Sequence, residues 1–91
     1  MKASETLETA ASLISGDRKE KHGDMFHSHN LIAKFWTAYL GSTINAHDVA
    51  CLMILLKVAR TKCGEINPDD YIDMAGYAAI AGELVERLGR P

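Results

Sequence analysis

Eight consecutive apolar residues, Val49-Ala50-Cys51-Leu52-Met53-Ile54-Leu55-Leu56, restrict what this chain can fold into more than any other stretch. Asn45 stands where an N-cap belongs, and Asp48 completes a capping box ahead of the run. The run therefore predicts a helix from Val49 to Lys62. A helix without a polar face is either the central element of its domain or has one face against another subunit. No segment alternates with the two-residue period of a strand, so the expected fold class is all-α.

The remaining punctuation gives three more helices. The first runs from about Ser4 to Ser15, with Leu7, Ala11 and Ile14 on one face and Gly16 ending it. Residues Asp17 to Gly23 form a charged connector. Asp24 suits the N-cap of a second helix carrying Phe26, Leu31, Ile32, Phe35, Trp36, Tyr39 and Leu40 up to Gly41. Phe35, Trp36 and Tyr39 at helical spacing are expected in the core. After the turn Cys63-Gly64-Glu65-Ile66-Asn67-Pro68, Asn67 caps a fourth helix with Pro68 in its first position, and this helix extends to about Leu88. Residues 1–91 are thus expected to form one compact four-helix domain. The fourth helix packs Ala75, Gly76, Ala78, Ala79, Ala81 and Gly82 into eight positions. Gly costs about 1 kcal/mol against Ala inside a helix, so this face needs a compensating close approach. Tight core packing would supply one; a homo-oligomer seam through the fourth helix is the expectation preferred for so small a core.

Several function classes drop out. A formal charge of −2 gives no electrostatic basis for binding polymeric nucleic acid. Cys51 and Cys63 lack the spacing of a zinc site, and Cys51 is expected as a small buried residue. The start of the chain, with Lys2, Ser4, Glu5 and Glu8, does not read as a signal peptide. No apolar run approaches the roughly 18 residues of a membrane span. The expected location is the cytoplasm. Phosphate-binding glycine loops, nucleophile elbows and zinc-protease motifs are all missing from the sequence.

What stands out chemically is charge inside apolar helices. Asp70, Asp73 and Tyr77 share one face of the fourth helix, and Lys57 and Arg60 share one on the third. Such groups are costly unless they pair, hold a metal or hold a ligand. Lys57 and Arg60 suit phosphate, or they pair with Asp73. Asp70 and Asp73, with Asp48, Glu83 and Glu86, are an alternative Mg²⁺ set. In the connector, Arg18, Lys19, Lys21 and His22 lead into a helix N-terminus, an arrangement suited to anions. Trp36 or Tyr77 is suited to stacking on a base.

The combination Asp17-Arg18…His22-Gly23-Asp24, Asn30…Trp36…Leu40, Asp48-Val49…Lys57…Arg60 and Asp70…Asp73-Met74-Ala75-Gly76-Tyr77-Ala78 resembles a family of small phage-encoded helical domains of uncharacterised function. More loosely it is similar to the nucleotide-modification-associated helical domain of phages. Beyond that it is similar to the MazG-type all-α nucleoside triphosphate pyrophosphohydrolases. The resemblance spans roughly residues 12 to 86. It implies a site where the connector, third helix and fourth helix meet, and a nucleotide as ligand. His22 stands where the phage pattern usually has Tyr. Lys57 and Arg60 occupy positions where the MazG-type Mg²⁺ site needs carboxylates, and cations there would repel the metal. The expected function is therefore binding or sequestration of a phosphorylated nucleotide, including a cyclic signal of host antiviral defence, with no cofactor. Arg18, Lys19, Lys21, Lys57 and Arg60 would contact phosphate, Asp73 would orient a cation or ribose hydroxyl, and Tyr77 or Trp36 would stack. The alternatives are a Mg²⁺-dependent pyrophosphohydrolase using Asp48, Asp70, Asp73 and Glu83, and an oligomeric scaffold.

Overall fold

A computed structural model describes residues 1–16 and 24–89, and each regular element among them is a helix. They are α1 (Ala3–Ser15), α2 (Met25–Leu40), α3 (Ala46–Arg60) and α4 (Pro68–Leu88). The boundaries follow the capping chemistry. Asp24 Oδ1 accepts the Phe26 N–H at 2.9 Å, and Asn67 Oδ1 accepts the Asp69 N–H at 3.0 Å. Asn45 and Asp48 exchange two bonds: Asn45 Oδ1 accepts from Asp48 N at 2.8 Å, and Asp48 Oδ2 accepts from Asn45 N at 3.0 Å. These contacts satisfy amides that the first helical turn leaves without partners. At the far end of α2, Gly41 takes φ +72°, a left-handed conformation that favours glycine, and its N–H bonds to the Thr37 carbonyl.

The short connection 41–45 is tied down by one side chain. Thr37 Oγ1 accepts the Ile44 N–H at 2.8 Å and donates to the Ile44 carbonyl at 3.1 Å. One hydroxyl thereby joins the last turn of α2 to the segment entering α3.

The central element is α4, which packs on α3 and α1 and touches α2. Of the two expectations for the third helix, the central position belongs to α4 instead. The inner row of α3, Ala46, Val49 and Ala50, meets the domain, while Leu52, Leu55, Leu56 and Val58 are exposed. A helix can be apolar all round and still bury only the row its neighbours cover.

Two further corrections concern faces. On α1 the buried row is Ala10, with Leu13 and Ile14 half-buried, whereas Leu7 and Ala11 are exposed. Ile14 approaches α4 at Gly76, where an added Cβ would lie 3.8 Å from Ile14 Cδ1. On α2, Phe35 and Tyr39 are not core; they are 67% and 89% exposed. This helix joins the domain through Met25, Phe26, His29 and Ala33 instead. Cys51 is half-buried rather than fully enclosed, with its sulfur 3.8 Å from the His47 ring nitrogens.

The small residues of α4 divide between interior and surface. Ala81 is buried and Gly76 faces α1, while Ala78, Ala79 and Gly82 are exposed. Among the described residues no helix is long and apolar enough to cross a membrane.

Candidate functional site

Two charges placed on neighbouring helices by sequence meet in the structure. Lys57 Nζ lies 2.9 Å from Asp73 Oδ2, and the two side chains are only 13% and 12% exposed. Antiparallel packing of α3 on α4 brings the last turns of one beside the early turns of the other, so the pair bridges the helices. Asp73 also makes an interaction beyond this one.

On the other side of Asp73 lies a small cleft of ≈ 20 Å³. Ala10, Leu13 and Ile14 of α1, Met25 of α2, and Ile72, Asp73, Gly76, Tyr77 and Ile80 of α4 line it. Gly76 leaves room that a larger side chain would fill. The wall is apolar apart from the Asp73 carboxylate and the Tyr77 ring with its hydroxyl. A second hollow shares Ile14, Met25 and Ile80 with the first and adds Ser15, Asp24, Phe26, Glu83 and Arg87. There the Arg87 guanidinium stacks 3.7 Å above the centre of the Phe26 ring and pairs with Glu83 at 2.8 Å.

His29 is buried behind Tyr77, their ring centres 6.0 Å apart. His29 Nδ1 lies 2.8 Å from the Met25 carbonyl, which can only accept, so the proton sits on Nδ1. Nε2 is then a buried acceptor with no hydrogen-bond partner. Burial holds the imidazole below its ordinary pKa of 6.5, outweighing the opposing effect of the Met25 bond.

The predicted site residues fare unequally. Asp73 and Tyr77 line the cleft, and Lys57 reaches it through Asp73. Trp36, half-buried on α2, and Arg60, exposed at the end of α3, do not border it. Arg18, Lys19, Lys21 and His22 lie outside the described residues; the segments flanking them, ending at Ser15 and beginning at Asp24, border the second hollow. The centre of the cleft therefore falls between α1, α4 and the start of α2, with α3 contributing only Lys57.

The alternative metal set does not converge. Among the described residues no group of three or more His, Cys, Asp or Glu side chains could hold a metal ion. Asp48 is committed to the α3 cap, Glu83 pairs with Arg87, and Asp70 is buried in the first turn of α4, where the helix dipole favours a carboxylate. Among the described residues these carboxylates are therefore not gathered into one metal site.

Residues 5–85 match a family described as a domain of unknown function, DUF6378. The chain belongs to the DUF6378 family. Its relatives include the Gene 55 protein of Mycobacterium phage L5, 41% identical over 79 residues, covering 86% of this chain and 51% of the phage protein. The Gene 55 protein of Mycobacterium phage D29 is 40% identical over 80 residues, covering 88% of this chain and 53% of its own length. The DUF6378 chain thus spans about half the length of these relatives, and the kinship with phage proteins expected from sequence is found. No solved structure matches it.

Proposed function

We propose that this DUF6378 protein binds a phosphorylated nucleotide, linear or cyclic, and sequesters it without turnover. The observation that supports this reading is the charged Asp73, held by Lys57, in the wall of an otherwise apolar cleft beside Tyr77. The cleft as it stands has room for about one water molecule, so a ligand enters by parting the α1 and α4 side chains that line it. The base enters against Tyr77 and Ile80, and Asp73 accepts a hydrogen bond from a ribose hydroxyl or exocyclic amine. Phosphate contact is assigned to Arg18, Lys19 and Lys21 from the sequence alone, since they lie outside the described residues. Lys57 holds the carboxylate in place.

The resemblance to the nucleotide-modification-associated domain of phages favours the same ligand class, and kinship with phage proteins makes capture of a host defence signal a reasonable use. The MazG-like hydrolase reading is less favoured, because the carboxylates it needs do not converge among the described residues.

Calorimetric titration of the full chain with linear and cyclic mono- and dinucleotides tests the proposal. Heat is expected for at least one of them, with the nucleotide recovered intact after denaturation. Gly76→Leu, which sends a side chain into the cleft, should remove binding and leave the helical content unchanged. No heat across the panel at high protein concentration overturns the reading, and released phosphate or pyrophosphate would favour the hydrolase.

A further inference from the structure

The interior of this domain is built from small side chains. Of nine buried hydrophobic residues among those described, five are alanine: Ala10, Ala33, Ala46, Ala50 and Ala81. Many of the bulky apolar side chains of α2 and α3 are instead exposed. Leu31, Phe35 and Tyr39 recur every fourth residue along α2, at 47%, 67% and 89% exposure. Leu52, Leu55 and Leu56 follow the i, i+3, i+4 spacing of a helix-packing stripe on α3. These six side chains leave on the order of 700 Å² exposed, close to the about 800 Å² per partner of a stable interface.

We infer that α2 and α3 form a homodimer interface, the helical hairpin of one copy packing against that of a second. The charge pattern selects this occupant. Lys34 is the one charged side chain of α2. On α3, Asp48 is used by its cap and Lys57 by Asp73, so only Lys34 and the terminal Arg60 remain for a charged partner, too few to make this face a charged one. What the surface asks for is another apolar face of equal size, which a second copy presents. Two antiparallel hairpins related by a twofold axis make a four-helix bundle, and such an interface is self-complementary. The exposed small residues of α4, Ala78, Ala79 and Gly82, lie outside it. The inference is independent of the ligand reading.

The test is the mass of the full chain in solution by light scattering or sedimentation, over a range of concentrations. A species of twice the 10.0 kDa chain mass is expected. Tyr39→Lys changes a side chain too exposed to matter for folding, and it should raise the dimer dissociation constant at least tenfold. Phe35→Glu should leave a monomer of unchanged helicity, whereas Gly82→Glu should leave the dimer intact. A wild-type chain that is monomeric at every concentration overturns the inference, including the case in which a different protein covers this face. So does a dimer that Gly82→Glu dissociates and Tyr39→Lys does not.

Discussion

Lys57 and Asp73 are nearly enclosed, so their pairing is a condition of folding as well as a candidate contact for a ligand. Removing one member leaves the other charge poorly solvated. Lys57→Met is expected to lower stability by roughly 3 kcal/mol in urea denaturation, the low end for breaking a buried pair. His29 supplies a pH prediction. Its folded pKa lies below 6.5, so below that pH the unfolded chain takes up a proton that the folded chain refuses. Its contribution to stability is complete above 6.5 and is lost as the pH falls through that value. In His29→Gln the thermal midpoint should vary less with pH across that window than in the parent; an equal slope would refute the assignment. The charged half of the site was legible in sequence, since a lysine and an aspartate inside apolar helices are conspicuous. The apolar half was not. Leu13, Met25 and Ile72 look the same in sequence whether they line a cleft or fill a core, and nothing distinguishes His29 from the other histidines.

At the scale of helices, the four elements were readable because caps and breakers are local chemistry: Asp24, Asn45, Asn67 and Pro68 at the starts, Gly41 at an end. Which row each helix buries was less readable. Periodicity defines several candidate rows, and neighbours decide how much of each is covered: Ile14 meets Gly76 of α4, while Leu7, on the same side but nearer the start of α1, stays exposed. The glycines of α4 give a prediction here. A Cβ at Gly82 meets nothing within 4 Å, and one at Gly76 meets Ile14 only at ordinary contact distance. Each Gly→Ala change should therefore stabilise the protein, by about 0.5–1 kcal/mol from helix propensity alone, in chemical denaturation. Destabilisation by Gly82→Ala would mean that another surface presses on that position.

For the molecule as a whole, an alanine-rich interior in a short chain leaves little stabilisation to spare. If two copies share the α2–α3 face, the thermal midpoint should rise with protein concentration, because association draws on the folded state. A midpoint independent of concentration would count against it. The hydroxyl of Thr37 then has a reach far beyond its two bonds to Ile44. It acts as the pin of a hinge, fixing how far the two arms of the hairpin splay. Thr37→Val keeps its bulk and discards both bonds, so every leucine and aromatic of the outer surface would survive while their mutual alignment slackened. Recognition between copies would then fail through loss of shape alone, with the chemistry of the contact untouched.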